Sequence, residues 1–108
     1  EDDCFLGPHM VFTNDLTPRS FNHDFEITKT HLKRGTSVGA NATLVCGITL
    51  GEYSMVGAGS VVTKDVAPYA LVIGNPSRVV GQVCKCGKRI NSSSSIDDFP
   101  PKCGQCKF

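Results

Sequence analysis

Residues 32–67 read LKRGTS VGANAT LVCGIT LGEYSM VGAGSV VTKDVA when the sequence is divided into hexads. Each hexad begins with leucine or valine, and a small or apolar side chain follows four positions later (Thr36, Ala42, Ile48, Ser54, Ser60 and Val66). A helix cannot keep a period of six on one face, and a long strand would alternate at every second position. The period therefore predicts short extended segments joined by glycine-eased turns, each unit stacking its leading apolar residue on the next.

This pattern resembles the hexapeptide-repeat acyltransferases, whose units begin with Leu, Ile or Val and carry a small residue at the fifth position. Residues 38–43 and 50–55 match that unit closely. The resemblance implies an all-β fold, a left-handed parallel β-helix with three hexads to a coil. The alternative is a glycine-rich β-domain whose period is accidental.

The repeat also occupies residues 6–17, but with a break in register. The separation between Leu6 and Leu32 is not a multiple of six, so we expect an inserted loop at about residues 18–31. The period ends after Val66, where an apolar stretch and a Gly-Asn-Pro turn predict a cap. We therefore expect a hexapeptide-repeat β-helix over residues 1–80, lacking its first coils, and a cysteine-rich element over residues 81–108.

Composition limits the function classes. The 11 basic and 10 acidic residues nearly balance, so charge gives no support for nucleic acid or membrane surface as a partner. The apolar runs are too short to cross a bilayer, and we expect a cytoplasmic protein. Burial of one inner column of apolar residues, including Leu6 and Phe12, yields less free energy than the conformational entropy of ordering the chain costs. Subunit contacts are therefore expected, and the family resemblance implies a homotrimer.

Short motifs indicate which branch of the acyltransferases the sequence resembles. Phe12-Thr13-Asn14-Asp15 and Pro18-Arg19-Ser20 resemble the nucleotide-sugar N-acetyltransferases, whereas Thr63-Lys64-Asp65-Val66 and Gly74-Asn75-Pro76 are shared across the acetyltransferase superfamily. The resemblance covers nearly all of residues 1–90. It implies transfer of an acetyl group from acetyl-coenzyme A to an amino sugar linked to a nucleotide.

Acetyl transfer to an amine requires a neutral amine held beside a thioester, and positioning lowers the barrier substantially. Asn14 or Asp15 is predicted to orient the acceptor amine, with Asp15 as a candidate proton acceptor. His9 and His31 are weaker candidates for the catalytic base. The alternatives are a turn role for Asp15 and a surface role for His9. In related enzymes earlier coils, which this sequence lacks, often supply the base.

The resemblance also implies where the cosubstrate lies. Coenzyme A is expected to approach the backbone of Gly57, Ala58 and Gly59, with its phosphates near Lys64 and Arg78. Turn chemistry alone would also explain these glycines, and both cations would be stable as solvated charges. Two glycines in this context are not a dinucleotide-binding fingerprint.

Four cysteines near the C-terminus form two close pairs on either side of residues 87–102: Cys84, Cys86, Cys103 and Cys106. This spacing is typical of a tetrahedral site with four thiolate ligands, so a structural Zn²⁺ in a zinc-ribbon-like element is predicted. Disulfides or free thiols remain the alternatives. Cys4 and Cys46 have the pattern of buried small side chains.

Two other functions fit parts of the pattern. A γ-class carbonic anhydrase shares the β-helix, but His9, His23 and His31 lack the spacing of its three metal ligands. A noncatalytic trimeric binding or assembly module, derived from an acetyltransferase, stays open because the early coils are absent. Turnover of an amino-sugar nucleotide would exclude it.

Overall fold

The computed structural model describes residues 3–13 and 29–90. All regular structure in these ranges is β, and it forms eleven short strands. In chain order these are β1 (Phe5–Leu6), β2 (Val11–Phe12), β3 (His31–Leu32), β4 (Ser37–Val38), β5 (Thr43–Leu44), β6 (Thr49–Leu50), β7 (Met55–Val56), β8 (Val61–Val62), β9 (Ala70–Gly74), β10 (Ser77–Val83) and β11 (Arg89–Ile90). No described segment forms a helix able to span a membrane.

The two-residue strands stack into three parallel sheets. The first runs β1-β4-β7-β9, the second β2-β5-β8 and the third β3-β6. Ser37 pairs with Met55 and Thr43 with Val61, so a regular coil takes three hexads. The predicted parallel β-helix is confirmed, while its left hand stays a prediction from the resemblance. The first sheet continues with the antiparallel strands β10 and β11.

The first residue of each hexad points into the stack. The leading residues from Val38 to Val62 are 0–1% exposed, and the fifth-position residues from Thr36 to Val66 are 0–5% exposed. Leu6 and Phe12 were predicted to join this inner column, but they are 47% and 43% exposed. They belong to the first described coil, and no described residue covers its outer side.

The regular turns share one backbone geometry. The fourth hexad residue has a positive φ, whether it is Gly47 (86°), Asn41 (59°) or Tyr53 (56°). The N–H of the fifth residue donates to the carbonyl of the second, as from Ala42 to Gly39 at 3.3 Å. A positive φ at the third residue of such a turn is typical of type II. Each hexad therefore contributes its first residue to one strand, its second to fifth residues to a tight turn, and its sixth residue to the next strand.

Turns of successive coils lie above one another and form three edges. Edge A contains turns 33–36, 51–54 and 67–70; edge B contains turns 7–10, 39–42 and 57–60; edge C contains turns 45–48 and 63–65. On edge B the Gly59 N–H donates to the Ala40 carbonyl at 2.8 Å, and the Asn41 N–H donates to the Pro8 carbonyl at 3.0 Å. These bonds hold the fourth hexad residues in vertical columns.

An insertion enters at edge C. Leu6 pairs with Val38 and Phe12 with Leu44, so the chain between paired strands is much longer here than the three hexads of a regular coil. The additional residues lie between β2 and β3, and β3 already begins at His31. The inserted loop at about residues 18–31 stays a prediction. Residues 14–28 are outside the described ranges.

The last coil is shorter than the period predicts. Val66 pairs with Leu50, whereas three full hexads would bring residue 68 to that place, so Val66 begins a new hexad two residues early. Where the coil is two residues short, the Asp65 carboxylate accepts a 2.8 Å hydrogen bond from the Thr49 N–H. In a regular coil a backbone carbonyl of the neighbouring strand would accept this bond. The repeat thus continues past Val66, and it ends only at the β9–β10 hairpin. That hairpin contains a cis Asn75–Pro76 bond.

The start of the cysteine-rich element packs on the prism. β10 continues through residues 80–81, where its pairing with β9 shifts register, and the Val83 N–H donates to the Tyr69 carbonyl at 2.8 Å. A Cβ on Gly87 would lie 3.5 Å from the Met55 methyl group. The turn at residues 84–88 therefore lies against edge A. The division at residue 80 stays a prediction.

We expect Gly39→Ala to destabilise the fold. A Cβ on Gly39 would lie 2.5 Å from the Ala58 nitrogen, which is backbone of the next coil and cannot move alone. Overpacking of this kind costs about 1–3 kcal/mol. Gly81→Ala is the control, since its Cβ would have only ordinary contacts, the nearest at 3.5 Å. Urea denaturation should separate the two variants; equal stability would contradict the close-approach argument.

Candidate functional site

Two turns form one continuous surface at the late end of edge B. The Ser60 hydroxyl, on turn 57–60, accepts a 3.1 Å hydrogen bond from the Gly74 N–H at the end of β9. A Cβ on Gly57 would lie 2.9 Å from the Ile73 side chain. We call residues 57–60 and 74–77 the edge-B surface. It contains the three predicted backbone contacts for coenzyme A.

Within this surface the backbone is open to approach. Ala58 and Gly59 are exposed, and a Cβ on Gly59 would meet no atom within 4 Å. The N–H groups of Gly57, Gly59 and Ser60 donate to protein carbonyls, whereas no described residue accepts from the Ala58 N–H. The Ala58 N–H therefore has no acceptor among the described residues, and the neighbouring Gly59 presents no side chain.

Arg78 lies beside the same surface. It is directly opposite Ile73 in the antiparallel β9–β10 pair, and cross-strand partners project on the same face of a sheet. Since Ile73 contacts the Gly57 backbone position, the exposed Arg78 side chain emerges on the side of edge B. Four of the five predicted coenzyme A residues are thus neighbours.

Lys64, the fifth, lies on edge C. Its side chain is exposed, and the adjacent Asp65 carboxylate holds its turn through the Thr49 N–H. Edges B and C border the sheet β2-β5-β8, so a ligand contacting both groups would cross the outer face of β8. The structure does not bring Lys64 into the edge-B surface itself.

His9 is on edge B, two coils before Gly59, and its side chain is exposed. Neighbouring strands lie about 4.8 Å apart, so these two turns are separated by roughly 10 Å. Asn41 lies between them in the same column and is exposed, although no sequence motif predicted it as a site residue. Because the insertion between His9 and Asn41 breaks the period of six, the sequence alone does not show that these two residues lie in the same column.

The predicted catalytic residues Asn14 and Asp15 lie outside the described residues. The chain just before them is fixed on edge C, where the Thr13 hydroxyl accepts a 2.9 Å hydrogen bond from the Cys46 N–H. Thr13 and Lys29, the described residues on either side of this segment, both lie on the edge that carries Lys64.

Cys84 and Cys86 share a tight turn. The Gly87 N–H donates to the Cys84 carbonyl and the Cys84 N–H to the Lys88 carbonyl, both at 2.8 Å. Gly87 has a φ of 96°, which favours glycine. Cys103 and Cys106 lie outside the described residues, and among the described ones no three potential metal ligands cluster. The four-cysteine zinc site therefore stays a prediction.

Ser60 and Ser54 occupy the same hexad position but should respond differently to alanine. Ser60→Ala leaves the partly buried Gly74 N–H without its acceptor, which costs about 0.5–1.5 kcal/mol. The Ser54 hydroxyl is buried with no partner among the described residues, so Ser54→Ala should be neutral or stabilising. Thermal unfolding of both variants tests this contrast. Equal destabilisation would mean that the Ser60–Gly74 bond does not anchor the edge-B surface.

Comparison with known proteins gives consistent matches for the repeat. The family model described as "Hexapeptide repeat of succinyl-transferase" matches residues 34–64. The chain is 53% identical over 62 residues to the dTDP-3-amino-3,6-dideoxy-alpha-D-galactopyranose 3-N-acetyltransferase of Aneurinibacillus thermoaerophilus. That match covers 57% of this chain and 32% of the relative, so the chain spans about a third of the relative's length.

Solved structures agree with the described fold. A hexapeptide-repeat acetyltransferase from Vibrio cholerae, complexed with acetyl-coenzyme A, is 27% identical with a TM-score of 0.62. The alignment covers 73% of this chain and 46% of that one. A perosamine N-acetyltransferase from Caulobacter crescentus, in complex with CoA and GDP-perosamine, is 28% identical with a TM-score of 0.54, covering 73% and 31%. Residues 34–64 thus form a hexapeptide repeat of the kind found in acetyltransferases.

Proposed function

We propose that this chain belongs to an acetyl-coenzyme A-dependent N-acetyltransferase that acts on a nucleotide-linked amino sugar. The observation that carries the proposal is the edge-B surface, where the exposed Ala58 and Gly59 backbone adjoins Arg78. The 53% identity to a dTDP-amino-sugar N-acetyltransferase supports the choice of acceptor class.

In this proposal acetyl-coenzyme A lies along edge B and the outer face of β8. The Ala58 N–H donates to a carbonyl of the cosubstrate, and Gly59 admits it because no Cβ occupies that space. Arg78 and Lys64 bind phosphate oxygens, as cations commonly do at such groups. A long cosubstrate is needed to reach both edges.

The chemistry assigned to this chain is positioning and proton transfer. Asn14 or Asp15 orients the acceptor amine, and Asp15 or His9 accepts the proton that the amine loses when it attacks the thioester carbonyl. Placement of His9 on edge B supports its candidacy. Acetyl-coenzyme A supplies the activated acyl group, and its thiol leaves.

A homotrimer is part of the proposal. Phe5 and Val11 face outward from the first and second sheets and are 62% and 51% exposed, which favours contacts between copies. Subunit contacts would also compensate for the thin inner column. The cytoplasmic location predicted from the sequence belongs to the same proposal.

A noncatalytic trimeric assembly module is the second candidate. It is favoured by His9, whose imidazole receives no hydrogen bond from any described residue and is therefore not oriented as bases in active sites usually are.

Binding and turnover discriminate the two candidates. The trimeric particle, verified by sedimentation, should bind coenzyme A in calorimetry and acetylate a dTDP-linked 3-amino sugar, detected by mass spectrometry.

Lys64→Ala should weaken coenzyme A binding by about ten- to hundredfold, or less than about fivefold if solvent screens the contact. Lys29→Ala removes a charge from edge C as the control. Absence of coenzyme A binding at millimolar concentration would favour the assembly module.

We also propose one structural Zn²⁺ per chain, held by Cys84, Cys86, Cys103 and Cys106. The tight turn that carries the first two cysteines supports the assignment, because metal-binding knuckles place paired thiolates on such turns. A site closed by four thiolates has no open position for substrate. Its contribution would be to the stability of the C-terminal element.

Elemental analysis should find one zinc per chain after loosely bound metal is removed. Cys103→Ser should lose the metal and unfold the C-terminal element while the β-helix retains its circular dichroism. Cys46→Ala, which removes a buried thiol far from that element in sequence, should keep the zinc. A metal-free protein purified under reducing conditions, or a Cys84–Cys106 disulfide, would contradict the assignment.

A further inference from the structure

Asn41 is fixed on edge B between the turn of His9 and the edge-B surface. Its N–H donates to the Pro8 carbonyl in the preceding turn at 3.0 Å. The carbonyl of the adjacent Ala40 accepts from the Gly59 N–H in the following turn at 2.8 Å. Because both neighbouring turns hold this part of the backbone, the point at which the Asn41 side chain leaves the prism is well defined.

The Asn41 carboxamide takes no part in holding the described fold. Its side chain is exposed, and no described residue forms a hydrogen bond with the carboxamide. The backbone does not require asparagine here, since Gly47 and Tyr53 occupy the same hexad position, also with a positive φ. A carboxamide has two N–H donors and an acceptor oxygen. These groups are therefore available to a ligand on edge B.

The space beside Asn41 on the side of the later coils is open. Gly59 lies in the same column one coil later, and a Cβ there would meet no atom within 4 Å. Neighbouring strands lie about 4.8 Å apart, so equivalent atoms of the two turns are separated by about that distance. A ligand that contacts the backbone of Ala58 and Gly59 can therefore also reach the Asn41 carboxamide.

The proposed cosubstrate site gives this ligand a direction along edge B, and the inference rests on that proposed function. Arg78, on β10, lies beyond the last turn of edge B, so the phosphates belong at the late end. The middle of acetyl-coenzyme A then passes Ala58 and Gly59, and its acetyl end points toward the earlier turns. The first of these turns carries Asn41, and His9 lies one coil farther.

We infer that Asn41 is a catalytic residue whose carboxamide N–H binds the oxygen of the thioester carbonyl. When the acceptor amine attacks the carbonyl carbon, a C–N bond forms and the C=O electron pair moves to this oxygen. The C=O bond then re-forms as the C–S bond breaks and coenzyme A leaves as a thiolate. The proton that the amine loses passes to Asp15 or His9 and then to the thiolate. A donor placed at the developing oxyanion stabilises the transition state more than the bound thioester.

Steady-state kinetics of the intact protein with acetyl-coenzyme A and the dTDP-linked 3-amino sugar test the inference. Asn41→Gly removes the carboxamide, and glycine adopts the positive φ without strain, so this variant should fold normally. Its kcat should fall about 10²- to 10³-fold, which is the usual effect of removing one such donor. The KM values should stay near those of the wild type, because the interaction strengthens mainly in the transition state.

Asn41→Asp separates hydrogen-bond donation from shape. Aspartate has nearly the same size and also tolerates a left-handed backbone, but its ionised carboxylate cannot donate. Its kcat should fall at least as far as that of Asn41→Gly. Glu52→Gln, the reverse type of exchange at an exposed position on edge A, is the matched control and should keep the wild-type kcat.

Thermal unfolding and calorimetry with coenzyme A accompany the kinetics, and both variants of Asn41 should match the wild type in these two measurements. The inference is overturned if either variant keeps the wild-type kcat, or if the loss of activity is accompanied by an equal loss of coenzyme A affinity. A wild-type protein that acetylates no amino sugar overturns the proposed function and this inference with it. An active wild type with equally active Asn41 variants overturns the inference alone.

Discussion

At several turns successive coils approach so closely that the glycine at the second hexad position has no room for a side chain, although Lys33, Val45 and Thr63 occupy that position at other turns. A Cβ on Gly39 would press on the Ala58 backbone, and one on Gly51 would press on Pro68. This constraint is set by hydrogen bonds between coils, such as Gly39 N–H to the Val56 carbonyl at 2.8 Å. Strand pairing, burial of the leading residues and alignment of the edges all depend on it.

Given that spacing, each edge becomes a column in which equivalent residues recur at roughly 4.8 Å. Residues far apart in the chain are thereby placed one or two coils from each other, as are His9, Asn41 and Gly59 on edge B. The edge-B surface and Lys64 therefore lie on different edges of the prism.

Departures from the period are as informative as the period itself. At edge C the coil loses two residues between Leu50 and Val66, and the Asp65 carboxylate supplies the acceptor that the missing strand residue would have provided. The same residue holds the turn of Lys64. A substitution at Asp65 would therefore affect both the last coil and the position of that cation.

The sequence alone determined the elements and their inward faces, because a period of six with glycine in the turns has few physical solutions. Val38, Leu44 and Leu50 were identified as core for that reason. It could not determine that Val66 begins a hexad early, since the Asp65–Thr49 bond joins neighbouring coils rather than neighbours in the chain. Nor could it show that Leu6 and Phe12 are half exposed, which depends on what lies above the first coil.

For the candidate site, residue types and motifs were sufficient to select Gly57, Ala58, Gly59, Lys64 and Arg78. Only the tertiary structure decided that four of these are neighbours and that Lys64 lies on another edge. The grouping of Arg34, Tyr53 and Lys85 was invisible in the sequence, because these residues fit no local motif. They meet through coil stacking and through the return of the chain after β10, and such contacts between distant segments leave no periodic signal.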